Sequence, residues 1–428
     1  MSAAARRVVL TGLGVVAPNG TGVCDFAAAL RKGRSGIRRR EDMAELGFAC
    51  QVAGVPEGVD ALAEARFEAD ELMAMNSGHR YGCLAALEAW EDAGLVRPER
   101  GDERVDWDTG AILGTGIGGM DTIAERVVPM VQARKIRRLG STAVEQVMAS
   151  GVSARVAGQL ALGNQVSANS SACATGVEAV AEGLWRIRAG RAERMLCGGV
   201  EGAHPAIWAG FDAMRVLCRA FNEEPERASR PMSASAGGFV PGSGAGVLVL
   251  ENLESARSRG ARIYAEVLGA GVNCGGHRGG GSMTAPNPES VRRCVRAALA
   301  DSRVEPGEVD AISGHLTATG ADAREVASWA AALECAPGAL PWITSAKSMI
   351  GHALGAAGAI ESVACVLMLH EGFVHASLNC EDVHPEIAPH AASIAHHTLE
   401  PEGLRTLVKA GFGFGDVNAA LVFRKWQA

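Results

Sequence analysis

The sequence predicts an α/β fold in which strands and helices alternate around a buried sheet. Three observations support this fold class: strand-length apolar runs end in glycines, apolar residues recur at helical spacing between those runs, and 54 of the 428 residues are glycine. Glycine allows tight turns and the close approach of one backbone to another. Alternating strands and helices are typical of a sheet that helices cover.

The first half of the chain contains the clearest of these elements. Residues 6–16 form an apolar run that ends in glycines, and residues 24–33 follow as a helix. Residues 108–119 predict a second strand that runs into a Gly-rich turn. After residue 173 the apolar residues recur at helical spacing, and residues 193–200 predict the next strand.

A second series of strands and helices begins near residue 262 and repeats this order of elements. The apolar run 262–273 again ends in glycines, and residues 406–425 predict a hairpin of two strands around a Gly-rich turn. A helix and a short strand are predicted between them, at 289–302 and 309–313. We therefore expect two related α/β halves, over about 1–258 and 259–428.

The composition argues against several classes of function. A formal net charge of −7 is unsuited to a general nucleic-acid binder. No apolar run approaches the ~18 residues that a membrane span needs, and the N-terminal segment lacks the apolar core of a signal peptide. The eleven cysteines are odd in number and include no C-x-x-C pair, which argues against disulfides or a zinc site and favours a reducing cytoplasm.

Some Gly- and His-rich patterns suggest functions that the sequence does not otherwise support. Residues 12–17 and 114–119 imitate dinucleotide-binding fingerprints, but the first opens no helix and the second lacks an acidic ribose ligand downstream. His396 and His397 lack partners at metal-ligand spacing. The run CGGHRGGGS, at 274–282, predicts a flexible loop.

Cys173 lies in the segment NSSACATGVEAV, at the start of a predicted helix. A helix N-terminus stabilises a thiolate through its dipole and its free N–H groups. The small neighbours Ala172, Ala174 and Gly176 allow a sharp strand-to-helix turn. Such a turn exposes the sulfur and directs backbone N–H groups at one point, as in a nucleophile elbow. Taken alone, a cysteine on a turn is equally explained by packing.

Two histidine segments could serve such a nucleophile. In SGHLTATGAD, His315 follows a strand, and the hydroxyls of Thr317 and Thr319 could bind the amides of an extended substrate arm. In SAKSMIGHALGAAGAIES, Lys347 precedes His352, which opens a Gly- and Ala-rich helix suited to close packing. Each segment alone could equally be a solvated loop or an ordinary core helix.

Together these segments resemble the β-ketoacyl-[acyl-carrier-protein] synthases, the condensing enzymes of the thiolase fold. The resemblance covers nearly the whole chain, from VVLTGLGVVAPNG through SSACATG, FDAM, GHLTAT and KSMIGHALGAAGAIE to GFGFGDVNAALVFRK. It implies a five-layered αβαβα architecture, with the nucleophile in the first half and both histidines in the second. SSACAT is more similar to type I than to type II synthases.

The resemblance implies a Cys–His–His condensation. Cys173 takes an acyl chain from a carrier thioester, and Thr317 and Thr319 hold the pantetheine arm of malonyl-acyl carrier protein. His315 and His352 stabilise the enolate that forms as carbon dioxide leaves. The carbanion then attacks the acyl thioester to give a 3-oxoacyl-acyl carrier protein. No cofactor is implied beyond the phosphopantetheine that the substrates carry.

The same resemblance assigns supporting roles to other residues. Phe414 supplies a backbone N–H to the oxyanion, together with that of the nucleophile, and matches the family's gating position. Lys347 and Glu325 orient charge around the histidines. Met120 and Met148 could border the acyl pocket, although core packing explains a methionine equally well.

Two alternatives to an elongating synthase stay open. Thiolases act on coenzyme A esters and use a second cysteine, and chain-length-factor subunits lack the nucleophile. The presence of Cys173, His315 and His352 favours a competent elongating enzyme of fatty acid or polyketide and polyene biosynthesis. The resemblance implies a homodimer, and a heterodimer is the alternative.

Three segments depart from the family pattern. PFDADRDGFV reads PMSASAGGFV at 231–240, so an internal ion network is missing or replaced. HGTSTPVGD is one residue shorter here, which puts the loop after Thr319 in doubt. NSFGFGGTN reads AGFGFGDVN at 410–418, with its changes at 416–417.

Lys409 directly precedes the last of these segments. The family often has a cation site near the glutamates that match Glu325 and Glu361, and its ligands match Lys409 and Ala410. We predict that the Lys409 ammonium replaces the cation and pairs with both carboxylates, which would otherwise repel each other, with a solvated Lys409 as the alternative. No metal is expected in the site.

A basic segment suggests where an acidic carrier protein docks. QARKIRRLG contains Arg134, Lys135, Arg137 and Arg138, whereas a second stretch that is basic in the family is acidic here, EADELMAMN at 68–76. We predict carrier docking at the first segment, with a merely solvated face as the alternative. The acidic stretch suggests a carrier other than that of primary fatty acid synthesis.

Overall fold

The computed structural model describes residues 6–427, in which eleven strands form one large sheet and two form a small one. The strands are β1 (Val8–Ala17), β2 (Gly20–Thr21), β3 (Ile37–Arg39), β4 (Val52–Gly54), β5 (Thr109–Gly114), β6 (Val166–Ser167), β7 (Arg194–Glu201), β8 (Gly244–Asn252), β9 (Ala265–Cys274), β10 (Ala311–Ser313), β11 (Trp342–Thr344), β12 (Thr406–Gly413) and β13 (Val417–Lys425).

The α-helices of the described residues cover the faces of the large sheet or connect its strands. They are α1 (Val23–Lys32), α2 (Glu41–Glu45), α3 (Val59–Arg66), α4 (Ala69–Met73), α5 (Ser77–Asp92), α6 (Met120–Thr122), α7 (Val128–Gln132), α8 (Thr142–Val147), α9 (Gly151–Leu160), α10 (Thr175–Arg188), α11 (Pro205–Ala213), α12 (Leu253–Ser258), α13 (Pro288–Ser302), α14 (Asp322–Ala332), α15 (Lys347–Ile350) and α16 (Ala357–Glu371).

The two halves repeat one strand topology, as the sequence predicted. The first half has the order β1-β8-β7-β5-β6, and the second has β9-β13-β12-β10-β11. In both orders the first two pairings are antiparallel and the last two are parallel. The half-sheets join where β1 pairs with β9, at Val9 with Glu266 and Leu10 with Ala265.

The layers follow from which helices contact which half-sheet. α5 and α9 pack outside the first half-sheet, and α13, with α14 against it, covers the second. α10 and α16 lie between the two half-sheets and contact both. The result is the five-layered αβαβα architecture, and the largest hydrophobic cluster occupies its centre.

The two central helices approach closely because glycine lies at their contact. A Cβ atom on Gly176 of α10 would lie 2.4 Å from the backbone nitrogen of Ala359 in α16. A Cβ atom on Gly358 of α16 would lie 2.6 Å from a Val177 methyl group. The close packing predicted from the glycines and alanines of this segment is therefore present.

One helix of the described residues is long and apolar enough in composition to cross a membrane. This stretch, Leu354–Glu371, comprises a 3₁₀ turn and α16, and 89% of it is buried inside the fold. A helix that is apolar all round is expected where it is buried on every side. Its position in the central layer accounts for its composition.

Candidate active site

Cys173 lies where the chain turns from β6 into the central helix α10. A 3₁₀ turn, Ala172–Ala174, precedes the helix, and Ala172 has a left-handed φ of 49°. The sharp turn predicted from the small residues is therefore present. The prediction of an exposed sulfur is wrong: Cys173 is only 8% exposed, because it faces an internal cavity rather than the surface.

His315 and His352 reach this cysteine from the second half of the chain. His352 Nε2 lies 3.1 Å from Cys173 Sγ, and the sulfur and one nitrogen of each imidazole all lie within 4.8 Å of one another. The imidazole centroids are 5.3 Å apart, with the rings edge to face. His352 does not open a helix as predicted, because the 3₁₀ turn Leu354–Ala356 intervenes and α16 begins only at Ala357.

Left-handed backbone recurs beside the side chains that line the site. Such residues are uncommon outside glycine, and they persist where the surrounding structure holds them. They are Ala172 (φ 49°), Leu316 (φ 26°), Leu354 (φ 47°) and Asp416 (φ 60°), which lie within two residues of Cys173, His315, His352 and Phe414 respectively. A left-handed residue therefore lies close to each of these four side chains, where it helps to set the direction of the chain.

Burial favours the neutral forms of the Cys173 thiol and of both imidazoles. The pKa values of His315 and His352 lie well below 6.5, first through desolvation and then through the nearby Lys347 ammonium. Burial also raises the pKa of the Cys173 thiol to about 12, although the Lys347 ammonium and the Phe414 N–H lower it. Desolvation therefore opposes the thiolate that the helix N-terminus was expected to stabilise, while these two groups favour it.

A buried carboxylate joins two lysines behind the histidines. Lys347 Nζ lies 2.5 Å from Glu361 Oε1, and Lys409 Nζ lies 2.6 Å from Glu361 Oε2, with all three side chains at most 1% exposed. Burial opposes ionisation of Glu361, yet the two ammoniums hold its pKa below the usual value. Two ammoniums around one carboxylate leave a net positive charge, which disfavours protonation of the histidines.

The ammonium of Lys409 is enclosed by oxygen atoms. Besides Glu361, it donates to the backbone carbonyls of Ser313, Gly314 and Ala410, at 3.5, 3.4 and 2.5 Å. These contacts connect the end of β10, directly before His315, to β12 and α16. The predicted pairing of Lys409 with Glu361 is thus present in the structure.

Glu325 forms no ion pair with Lys409 among the described residues, so that half of the prediction is wrong. The Glu325 carboxylate instead accepts the backbone N–H groups of His315 and Leu316, at 2.6 and 2.8 Å, and the Trp329 Nε1–H at 3.2 Å. Burial raises the pKa of Glu325 to about 7, and the nearby Asp322 charge adds to this shift. Glu325 fixes the backbone that carries His315.

Asp322 is a supporting residue that the sequence analysis missed. Its buried carboxylate accepts the backbone N–H groups of Thr317, Ala318 and Met232, at 2.9, 3.1 and 2.9 Å. It therefore shapes the shortened loop that the sequence left in doubt. Its place at the start of α14, beside a loop rich in N–H donors, was the available signal.

The three chemically reactive side chains lie in a cavity of about 420 Å³. Thr317 and Thr319 line it, and their hydroxyl oxygens are 3.0 Å apart. A largely apolar cavity with a few convergent polar groups is typical of a small-molecule site. Its wall also includes residues that the sequence analysis did not single out: Phe211, Val216, Phe239, Thr284, Ala285, Pro286, Arg324, Leu354 and Phe412.

Met120 and Met148 do not line this cavity, contrary to prediction. Met120 packs against the hydrophobic cluster around Trp208, and Met148 is 43% exposed. Phe211 and Phe239 of that cluster form the cavity wall instead. Met120 therefore belongs to the same cluster as two rings of the cavity wall without lining the cavity itself.

The altered segment at 231–240 has its own ion network. Arg230 is almost fully buried and pairs with Glu381 and Asp382, at 2.9 and 3.1 Å. Asp382 also accepts from Ser233 Oγ at 2.5 Å and from the backbone N–H of Ser235 at 3.0 Å. These ion pairs and hydrogen bonds therefore connect the altered segment to residues 381 and 382.

The basic segment proposed for docking lies on the surface. Arg134, Lys135, Arg137 and Arg138 are all exposed, in the connection between α7 and α8. The acidic stretch at 68–76 includes α4 and is mostly exposed or half-buried. The two segments therefore present opposite charges to solvent.

The Cys–His–His group also has donor atoms close enough for a metal ion. Cysteine binds zinc as a thiolate, alongside neutral histidine nitrogens. A metal ion here would have to displace the proton that burial favours on Cys173, and it would lie near the Lys347 and Lys409 ammoniums, whose charge disfavours a further cation. The arrangement is better suited to covalent chemistry at the sulfur.

Comparisons with known proteins show which family the chain belongs to. Residues 5–256 match the family model for the N-terminal domain of β-ketoacyl synthases, and residues 264–381 match that for the C-terminal domain. The chain belongs to the β-ketoacyl synthase family. Both halves of this β-ketoacyl synthase are thus represented, and the matches include Cys173, His315 and His352.

Two curated relatives of this β-ketoacyl synthase match along almost its full length. The 3-oxoacyl-[acyl-carrier-protein] synthase 1 of Haemophilus influenzae is 33% identical over 422 residues, which cover 99% of the chain and 100% of the relative. The 3-oxoacyl-[acyl-carrier-protein] synthase 2 of Vibrio cholerae is 32% identical over 424 residues, covering 98% and 99%. The identities to the synthase 1 and to the synthase 2 are nearly equal, so they do not confirm the type I-like assignment predicted from SSACAT.

Two solved structures share the fold of this β-ketoacyl synthase. The ishigamide ketosynthase/chain length factor matches with a TM-score of 0.87 and 32% identity. A type II PKS acyl-carrier protein in complex with its ketosynthase bound to the hexaketide gives a TM-score of 0.87 and 28% identity. Each match covers 99% of this chain and 100% of the matched chain. The thiolase-like fold inferred from the sequence is confirmed.

Proposed function

We propose that the chain catalyses the decarboxylative Claisen condensation of an acyl thioester with malonyl-acyl carrier protein, giving a 3-oxoacyl-acyl carrier protein. The observation that carries this proposal is the convergence of Cys173 Sγ with nitrogens of His315 and His352 within 4.8 Å. The names of the curated relatives support the same reaction. The product enters fatty acid or polyketide biosynthesis.

The first half-reaction loads the acyl chain. Cys173 Sγ forms a bond to the acyl carbon while the bond from that carbon to the carrier sulfur breaks. The thiol proton passes to the departing carrier sulfur, which leaves as a neutral thiol. A thiol that is neutral at rest reacts slowly with electrophiles at neutral pH, and it becomes nucleophilic as its proton leaves.

The second half-reaction forms the carbon–carbon bond. The neutral imidazoles of His315 and His352 donate N–H groups to the malonyl thioester oxygen, stabilising the enolate as carbon dioxide leaves. The malonyl carbon attacks the acyl carbon, and Cys173 leaves as a thiolate that takes up a solvent proton. The N–H groups of Cys173 and Phe414 face the developing oxyanion. Thr317 and Thr319 hold the pantetheine arm.

A pair of assays tests this function against its alternatives. Iodoacetamide should label Cys173, and the wild type should decarboxylate malonyl-acyl carrier protein, whereas a non-catalytic subunit would do neither. A thiolase would condense coenzyme A esters without decarboxylation. Cys173→Ala that still joins acyl and malonyl carriers would refute the proposal.

The partner we propose is an acyl carrier protein, docking at Arg134, Lys135, Arg137 and Arg138. A structure that contains such a carrier with its ketosynthase supports this class of partner. We also propose that the chain forms a homodimer. A heterodimer is the alternative, because this chain is similar to the structure of the ishigamide ketosynthase/chain length factor. Size-exclusion chromatography with light scattering on the purified chain distinguishes the two.

Finer assignments extend the same proposal. A type I-like specificity rests on SSACAT, at 170–175, and a secondary polyketide or polyene pathway on the altered segments. A reducing, cytoplasmic location is supported by the eleven cysteines, none of which forms a disulfide. We propose that the reaction uses no cofactor, and that Lys409 takes the place of a bound cation. Metal analysis of the active enzyme tests the last point.

A further inference from the structure

The Gly-rich segment between β9 and α13, residues 275–287, forms part of the cavity wall. Thr284, Ala285 and Pro286 line the cavity that contains Cys173. The sequence predicted a flexible loop here. In the structure a single buried side chain from another segment, Asp416, contacts this loop at several points.

Asp416 lies in the turn between β12 and β13 and is fully buried. One carboxylate oxygen accepts the backbone N–H of His277 at 3.1 Å. The other accepts the backbone N–H of Asn287 at 2.7 Å and contacts Ser290 Oγ at 3.3 Å. One carboxylate thus binds both ends of the loop.

Backbone contacts strengthen the same connection. The Gly275 N–H donates to the Asp416 carbonyl at 3.0 Å, and the Gly415 N–H donates to the Met283 carbonyl at 2.8 Å. The loop and the turn are therefore bonded in both directions. Phe414 of this turn also lines the cavity, and its backbone N–H lowers the pKa of the Cys173 thiol.

The glycines of the loop make room for this carboxylate. A Cβ atom on Gly275 or Gly281 would lie 2.2 or 2.3 Å from Asp416 Oδ2. The Asp416 carboxylate is held by its hydrogen bonds, so it could move away from such a Cβ atom only by breaking them. The Gly-rich run and the aspartate therefore fit as a set, whereas the resembled family pattern has glycine at 416, which could make none of the side-chain contacts.

We propose that Asp416 is a positioning residue that locks the 275–287 loop to the Phe414 turn, so that both move as one unit when a substrate arm enters the cavity. Movement of the turn alone would break the hydrogen bonds to His277 and Asn287. It would also shift the Phe414 N–H relative to Cys173. The role in substrate entry rests on the proposed function, but the lock itself does not.

Asp416→Gly tests the lock, because glycine removes the carboxylate while accepting the φ of 60°. Hydrogen exchange should accelerate together in 275–287 and 413–417, by about tenfold, as expected for losing hydrogen bonds to a charged group. The KM for malonyl-acyl carrier protein should rise several-fold, with a smaller change in kcat. Asp416→Asn, which retains one carbonyl acceptor, should fall between this variant and the wild type.

Asp310→Asn is the matched control. Asp310 also accepts two backbone N–H groups, those of Arg405 and Thr406 at 2.7 and 2.8 Å, but at the other end of β12. It should leave exchange in both segments and the KM unchanged. Faster exchange in only one segment of Asp416→Gly, or in neither, would overturn the lock. An unchanged KM with coupled exchange would overturn its role in entry, and a wild type unable to condense would instead count against the proposed function.

Discussion

Burial sets the chemistry of Cys173, His315 and His352. All three side chains lose solvent, which disfavours the thiolate and the imidazolium alike. The Lys347 ammonium further disfavours protonation of the histidines. The histidines are therefore ready to act as neutral N–H donors at physiological pH, while the sulfur becomes nucleophilic only as its proton leaves.

The raised thiol pKa predicts how Cys173 reacts with iodoacetamide. Only the thiolate is alkylated, so the rate should keep rising with pH through pH 9, since the pKa is about 12. Rates measured by mass spectrometry of the Cys173 peptide check this, with the exposed Cys274 as an internal reference. A plateau between pH 6 and 8 would mean that the resting sulfur is already ionised.

Removing the Lys409 ammonium should shift the acid limb of the pH–rate profile. Lys409 lowers the pKa of both histidines through its charge, so Lys409→Met should raise those pKa values toward 6.5. Activity lost on imidazole protonation would then be lost at higher pH than in the wild type. The pH dependence of kcat/KM measures this shift, and Lys32→Met on α1 serves as a control. An unmoved acid limb would show that Lys409 does not act on the histidines electrostatically.

The central helices position the nucleophile and the second histidine. α10 begins at Thr175, two residues after Cys173, and α16 follows His352, so the close contact of the two helices sets how these two side chains meet. That contact depends on glycine rather than on large apolar residues. The periodicity of the sequence predicts that the segments of α10 and α16 are helical, but it does not predict the distance between the two helices.

Gly176→Ala should destabilise the protein despite alanine's better helix propensity. Its Cβ would lie 2.4 Å from the Ala359 backbone nitrogen, so α10 and α16 must separate, at a cost of about 1–3 kcal/mol. Gly158→Ala on α9 is the control, because a Cβ atom added there would meet no neighbouring atom within 4 Å, and it should stabilise by about 0.5–1 kcal/mol. Denaturant unfolding measures both. Equal stabilisation by the two variants would contradict the close helix contact.

The sequence predicts the repeat of two halves, the reactive residues and the turn at Cys173, because each depends on local pattern or on segments that resemble a family. It does not predict burial, which depends on contacts between distant segments. For that reason an exposed Cys173 sulfur, a Lys409–Glu325 pair and methionines in the cavity wall were expected, and these are absent from the described residues. Asp322 and Asp416 were missed for the same reason, since their partners lie in loops whose paths only the assembled fold defines.

Carrier docking should depend on charge at the exposed segment 134–138. The double variant Arg137→Glu and Arg138→Glu should raise the KM for malonyl-acyl carrier protein several-fold, most strongly at low salt. It should leave turnover of a short malonyl thioester without carrier unchanged. Arg257→Glu on α12, also exposed, is the control. Equal effects on both substrates would place the docking surface elsewhere.

The two halves each supply part of the site, so the folded chain should carry the acyl intermediate on the Cys173 sulfur. Mass spectrometry of the chain after incubation with an acyl-acyl carrier protein tests it most directly. We predict one acyl group on the peptide that contains Cys173, and its loss as 3-oxoacyl product when malonyl-acyl carrier protein is added. An acyl group on another cysteine, or none on the active folded protein, would contradict it.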